Sequence, residues 1–478
     1  MKKIAPILFL VLMFSCDPTT KSLPDSESIV SQVAITPPMG WNSFDAYDCR
    51  INEEDFKATV DVMAEKLLPF GWEYAVIDYI WWHPEPGNWA TPRRFGHPNL
   101  RYNADGSPLH PEYVTMDEYG RLLPSVERFP SAANGKGFKP IADYVHSKGL
   151  KFGIHIMRGI HRKAWSDGSP IMGTELTAKD IAETQDTCTW CNHMFGVDHT
   201  KPGAQEYYNS IFELYAEWGV DFIKADDITV PPYHKGEIEM IHNAIENCGR
   251  PIVLSLSPGE SPLSRANHLK EYSNMWRISA DFWDNWPELH HSFDLLNQWA
   301  PHIGPGHWPD ADMLPIGKIA LNNRPRGTER YTLFTWNEQI TLMTLFSIAR
   351  SPLMLGADLL SLKDSTLFLL TNDEVLYVNQ HSTNNRQIIK RNYRNKKTGE
   401  MIEYAIWAAD DPESDDKFIA LFNLSDTKKE VCFNMEWEYF RGEWKVRDLW
   451  EKKDIGKAEG DLCAEIGPHG SVLYRLSK

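Results

Sequence analysis

Two short runs hold the residues best suited to nucleophilic and acid–base chemistry. In Phe222-Ile-Lys-Ala-Asp226, alternate side chains of an extended strand share a face, so Lys224 and Asp226 point the same way. A lysine beside a carboxylate keeps it ionised at neutral pH, which a carboxylate nucleophile needs. Arg277-Ile-Ser-Ala-Asp281 supplies a second carboxylate further along the chain. A general acid must hold its proton until it acts, through burial or a neighbouring negative charge. Arg277 opposes that by favouring ionisation, unless it faces the nucleophile or a sugar hydroxyl. The plainer readings are a buried structural ion pair for Lys224–Asp226 and helix capping for an aspartate at a strand end. Asp227 falls on the other face or in the following turn and reads as structural.

The elements that must position these residues are visible in the hydrophobic pattern. Short apolar runs at 39–42, 74–78, 152–156, 222–226, 252–257, 276–279, 302–304 and 351–355 read as strands. Amphipathic segments such as 53–68, 141–148, 204–218, 238–247 and 334–348 separate most of them. Gly71, Gly149, Gly219 and Gly249 each stand just before a strand, where helix-terminating glycines belong. Eight βα units over 36–380 predict an α/β fold, a (β/α)8 TIM barrel with long loops. In such a barrel, polar residues at the C-terminal strand ends face one pocket. That rule gathers Trp41, Asp78, His155, Lys224, Asp226, Ser257, Arg277, Asp281, Asp310 and Asp312. Beyond 380 the helical period stops, and runs at 387–393, 403–408, 418–423, 430–434, 444–450 and 471–476 predict a C-terminal all-β antiparallel sandwich over 381–478.

Composition narrows the ligand. The 478 residues are 42% hydrophobic and 24% charged, the balance of a globular protein. A net charge of −17 argues against nucleic acid, which calls for clustered Lys and Arg. The 18 tryptophans are foremost packing residues, yet flat aromatic faces also suit sugar C–H groups, so the total leans towards a saccharide. Residues 1–15 read as a signal peptide, with Lys2 and Lys3 before an apolar run too short to span a bilayer. Met13-Phe14-Ser15-Cys16 resembles a bacterial lipobox, which implies a lipidated Cys16, a tether over 16–35, and a lipoprotein exported to the cell envelope. Plain signal cleavage is the alternative. Of the other cysteines, Cys188-Thr-Trp-Cys191 has metal or redox spacing but lacks a second pair, and reads as a local disulfide or two free thiols.

Thr36-Pro-Pro-Met-Gly-Trp-Asn-Ser43 resembles the opening strand of the α-galactosidase-like glycoside hydrolases of family 27, in clan D. The similarity runs on through Ala75-Val-Ile-Asp78, Arg128-Phe-Pro130, the run 144–154, Gly219-Val-Asp-Phe-Ile-Lys-Ala-Asp226, Trp276-Arg277 with Asp281, and Gly306-His-Trp-Pro-Asp-Ala-Asp-Met-Leu314. It ends with Ser351-Pro-Leu-Met354 and Val378-Asn-Gln380. The resemblance implies a retaining exo-acting hydrolase of terminal α-galactoside-like linkages on oligo- or polysaccharides, with Asp226 as nucleophile and Asp281 as acid/base. It also implies a sugar subsite lined by Trp41, Asp78, Lys224, Arg277 and Asp312, and no cofactor or metal.

Three departures bear on the sugar. Galactose-taking members carry two consecutive aspartates at the second strand end, reaching the 4- and 6-hydroxyls; here the pair is Asp78-Tyr79. His155 stands where a tyrosine is common, and Ser257 where a glutamate reads O2 in α-galactosidases. Glu260 is a candidate to refill that gap, and the insert over 161–201 is a candidate cover for the pocket. The same mechanism therefore extends to a β-L-arabinopyranoside, an α-N-acetylgalactosaminide or an isomaltose-type end. A reading of a different class, a sugar-binding surface lipoprotein, would predict loss of a catalytic aspartate, and both are present.

Overall fold

The computed structural model describes residues 32–478 except 85, 87–113, 189, 192, 322–326, 395 and 397–398. The signal peptide, Cys16 and most of the tether lie outside the described residues.

Eight short strands form one parallel sheet: β1 (Met39–Asn42), β2 (Tyr74–Ile77), β3 (Lys151–Met157), β4 (Phe222–Asp226), β5 (Val253–Leu256), β6 (Met275–Arg277), β7 (Trp308–Asp310) and β8 (Leu353–Leu355). Most are buried along their whole length, as strands covered on both faces must be. From β1 to β7 each strand pairs with the next, and β1 also pairs with β8. A parallel bridge between Leu314 and Leu355 closes the ring, with the Leu314 N–H donating to Met354 O at 2.7 Å. The barrel predicted from the alternating pattern is present.

Helices follow the strands: α1 (Glu53–Lys66), α2 (Lys139–Ser147), α3 (Ala204–Trp218), α4 (Lys235–Cys248), α5 (Ala266–Tyr272), α6 (Trp286–Trp299), α7 (Trp336–Ile348) and α8 (Asp373–His381). Asn52 caps α1 by accepting from the Asp55 N–H, and Phe56, Val60 and Met63 form the stripe it buries. Thr335 and Glu338 close a reciprocal capping box on α7. Gly219 ends α3 at φ 85°, a left-handed turn that lets β4 begin three residues later.

One strand lies elsewhere than the pattern predicts. Residue 302 ends a 3-10 turn, Ala300–His302, with 303 and 304 after it, and β7 runs instead over Trp308–Asp310. Pro309 hides the signal, because a proline reads as a break in a strand. It is tolerated here opposite Trp276, with ladder bonds made by its neighbours: Trp308 N–H to Asn274 O at 2.8 Å and Ile278 N–H to Asp310 O at 2.9 Å.

The C-terminal region is all-β. A six-stranded antiparallel sheet in the order β9-β10-β11-β16-β13-β14 comprises β9 (Thr383–Arg394), β10 (Met401–Asp410), β11 (Lys417–Asn423), β13 (Trp444–Asp448), β14 (Lys453–Ala458) and β16 (Ser471–Ser477). The pair β12 (Lys429–Asn434) and β15 (Asp461–Ile466) covers one face, burying Ile406, Ile419 and Leu421 with Val431, Phe433 and Leu462. Strands β14 and β15 were not legible, since 453–458 is largely exposed and charged and lacks an apolar alternation. Side chains of the opposite parity, Trp407 and Phe422 among them, pack on the barrel. The Phe422 and Phe293 rings meet at 4.9 Å, and the Trp450 indole donates to Thr344 Oγ1 at 2.8 Å. Cys432 and Cys463, directly opposed across β12 and β15, form a disulfide. Cys188 and Cys191 are buried free thiols.

Candidate active site

At the C-terminal rim of the barrel lies a cavity of about 610 Å³. Its wall includes Asp78, Tyr79, Lys224, Asp226, Ser257, Arg277, Asp281 and Asp312. Parallel strands bring these residues together because their ends all open on one side.

Asp226, the last residue of β4, is held from three directions. His155 Nε2 lies 3.0 Å from Oδ2, while Ser257 Oγ donates to Oδ1 at 3.1 Å and the Asp227 N–H at 2.9 Å. Burial pushes the Asp226 pKa upward, but the His155 hydrogen bond and charge, then Lys224, outweigh it and hold the carboxyl below its usual range. Asp226 is thus an ionised, positioned nucleophile candidate. Lys224 shares its face as the strand period requires, yet its Nζ bonds Asp78 Oδ2 at 3.0 Å rather than Asp226. Asp78 also accepts from Asn42 Nδ2 at 2.7 Å and from the Tyr79 N–H at 2.8 Å. Burial raises it, but Lys224 and His155 prevail and bring its pKa down to about 2.

On the facing wall, Arg277 Nη1 pairs with Asp312 Oδ1 at 2.8 Å, and Nη2 reaches Asp281 Oδ1 at 3.4 Å. Asp312 also accepts from the Phe282 N–H at 2.8 Å. Arg277 therefore serves Asp312 first, which eases the conflict between a general acid and an adjacent guanidinium. The Asp281 side chain is 50% exposed, within reach of a leaving group entering from solvent. Asp310 stands behind, accepting from the Asp312 N–H at 2.9 Å, with burial raising its pKa to about 6.

Two expected lining residues lie elsewhere. Trp41 is 0% exposed, with its indole N–H on Ala357 O at 2.7 Å and its ring against Tyr47 and Phe56. It belongs to the core; Phe44, three residues on, faces the cavity. The reason is geometric: β1 points Trp41 outwards to the helix layer, and the turn after Asn42 delivers Phe44 to the rim. His155 is likewise 0% exposed and stands behind the wall, hydrogen-bonded to Asp226 and packed against the Tyr79 ring. Glu260 does not refill the place opposite Ser257, for it pairs with His291 at 3.4 Å on the surface.

Residues that the strand-end rule passed over come from the loops. Asp45 lines the cavity, as do Phe282, Trp283 and Met313. The insert after β3 folds as a three-stranded sheet from Ile160–His161, Ala182–Thr187 and Met194–Val197. It sends Trp190 into the cavity wall, 5.7 Å from the Tyr79 ring. Trp190 sits between the two cysteines, and no period or motif in the sequence marks it as a site residue. Asp227, at φ 61° in the turn, faces away to Arg158 at 3.1 Å.

Two family descriptions match the chain: alpha galactosidase A over residues 195–381 and the alpha galactosidase C-terminal beta sandwich domain over 402–476. A family 27 β-L-arabinopyranosidase from Geobacillus stearothermophilus superimposes with a TM-score of 0.85 at 46% identity, covering 95% of this chain and 99% of that one. This chain belongs to glycoside hydrolase family 27. The family 27 enzyme is also 27% identical to an α-galactosidase of Oryza sativa subsp. japonica, over 92% of this chain and 85% of that protein. An α-N-acetylgalactosaminidase of Gallus gallus is 29% identical over 93% and 94% of the two chains. The family 27 enzyme is accordingly a glycoside hydrolase acting on carbohydrate, and its barrel and sandwich are those of its relatives.

Proposed function

We propose that this enzyme is a retaining exo-β-L-arabinopyranosidase. The observation that carries the reading is Tyr79. Its ring lines the cavity where galactose-taking relatives are expected to present a second aspartate, and it is wedged against His155 at 5.4 Å and Trp190 at 5.7 Å. A phenol ring removes the charged acceptor for a 6-hydroxyl and fills the space of a hydroxymethyl group. β-L-Arabinopyranose has the galactose ring without that group. The arabinopyranosidase of Geobacillus stearothermophilus, at 46% identity, supports the same substrate.

In the first step an Asp226 oxygen bonds to the anomeric carbon as the glycosidic C–O bond breaks, and Asp281 gives its proton to the departing oxygen. The product is a glycosyl ester on Asp226 and a free alcohol. Asp281, now a carboxylate, takes a proton from water as that water attacks the anomeric carbon and frees Asp226. Lys224 and Asp78 bind ring hydroxyls on one side, Arg277 and Asp312 on the other.

The deciding experiment compares kcat/KM on 4-nitrophenyl β-L-arabinopyranoside and α-D-galactopyranoside, which differ only in the 6-CH2OH. The arabinoside should be faster by about tenfold or more, and a faster galactoside would overturn the reading. An α-galactoside substrate is the second reading, favoured by the curated α-galactosidase relatives at 27% identity. We also propose that the enzyme is an exported lipoprotein of the cell envelope, anchored through Cys16. The basic start, the short apolar run and Ser15-Cys16 support this. Cys16→Ser should release the protein from the membrane fraction; unchanged partitioning would refute it.

A further inference from the structure

Asp45 lies three residues beyond β1 and contributes to the cavity wall. Its side chain is almost wholly buried, and Oδ2 has no hydrogen-bond partner among the described residues. That oxygen is enclosed against Gly356, so the carboxyl meets the cavity through its other oxygen, Oδ1. The group cannot turn away. The Asp45 carbonyl accepts from the Ala320 N–H at 2.8 Å and the Ala46 carbonyl from the Leu321 N–H at 2.9 Å, fixing the backbone. Gly356 leaves the space that the carboxyl occupies, since a Cβ there would collide with it.

The cations of the cavity wall are already engaged. Lys224 holds Asp78, and Arg277 holds Asp312 and Asp281. Burial first, then the charge of Asp312, raises the Asp45 pKa well above its ordinary value. A carboxyl group accepts hydrogen bonds in either protonation state and donates one when protonated. A hydroxyl offers both functions, and a pyranose ring carries several.

We propose that Asp45 hydrogen-bonds a hydroxyl of the sugar unit held in the cavity and so helps to determine which pyranose the enzyme accepts. This rests on the reading that the cavity holds the terminal sugar. Asp45 is a specificity-determining residue and takes no part in bond making or breaking.

The test pairs Asp45→Ala and Asp45→Ser with monodeoxy analogues of whichever aryl glycoside the wild-type enzyme hydrolyses. Each variant should lower kcat/KM on the parent glycoside by about 10- to 100-fold. One monodeoxy analogue should cost the wild type a similar factor while costing the variants less than about threefold, because the contact is already gone. If the variant and deoxy losses multiply on every analogue, Asp45 touches no sugar hydroxyl and the proposal falls. If either folded variant keeps wild-type kcat/KM, it falls as well. The Ser variant keeps a small polar side chain should the Ala variant fail to fold. Failure of arabinoside turnover would sink the substrate reading alone, since this test runs on any glycoside that is hydrolysed.

Discussion

His155 Nε2 lies 3.0 Å from Asp226 Oδ2, and the imidazole itself is fully buried behind the cavity wall. The hydrogen bond both aims the carboxylate and opposes the effect of burial on it. His155→Phe should therefore raise the Asp226 pKa. A nucleophilic Asp226 acts ionised, so on the proposed mechanism the acid limb of the kcat/KM profile should move upward. The rate at the optimum should fall by about tenfold or more. A pH–rate profile with an unmoved acid limb would assign His155 to packing alone.

Asp226→Ala should reduce turnover by about four orders of magnitude or more, the scale seen when a nucleophile is removed. Its thermal stability should stay near that of the wild type, since the carboxylate lines an open cavity. Azide, small enough for the vacated space, should restore part of the rate and yield a glycosyl azide of inverted configuration. Activity close to wild type would contradict the nucleophile assignment.

Asp281→Ala separates the acid role from general damage to the site. A good leaving group departs without help, so aryl glycosides with acidic phenols should lose much less than alkyl glycosides or natural linkages. The exposure of Asp281 fits a group that meets the aglycone. Equal losses on both substrate types, measured as kcat/KM, would remove it from the acid role.

Behind Asp226, Arg158 serves three carboxylates: Asp186 at 2.8 Å, Glu237 at 2.9 Å and Asp227 at 3.1 Å. One guanidinium cannot neutralise all three, and burial raises the Asp227 pKa to about 7 despite Arg158. The Asp227 pKa is raised on folding. Its favourable contribution is thus complete below about pH 4 and lost as pH climbs through about 7. Asp227→Asn lacks that titration and tolerates the left-handed backbone. Melting curves should show the wild type losing a few degrees relative to the variant between pH 4 and 8. A difference independent of pH would show that Asp227 stays charged throughout.

How far the sequence reached depends on whether the information was local. Periodicity, caps and terminating glycines mark most strands and helices, because those signals are written in neighbouring residues; α3 is found at its predicted bounds. β7 escaped because Pro309 looks like a break until its partner Trp276 is known. Lys224, Asp226, Arg277 and Asp281 were legible because strand alternation and the barrel rim rule together fix where they face. Trp41 and Phe44 were not, since which of two aromatics enters the cavity depends on a turn after β1. Asp45 depends on that same turn, and Trp190 reaches the site through the insert after β3, far from the strand ends in sequence.

By itself, then, the sequence determined the barrel, the sandwich after it, and the two aspartates that suit glycoside cleavage. Each of these is carried by residues adjacent in the chain or two apart on a strand. Only the tertiary structure decided which groups act on Asp226, that Arg277 serves Asp312 before Asp281, and that Tyr79 and Trp190 form an aromatic wall. Those are contacts between strand ends and loops far apart in sequence. Their distances set the electrostatics of the site, and they exist only once the barrel has closed.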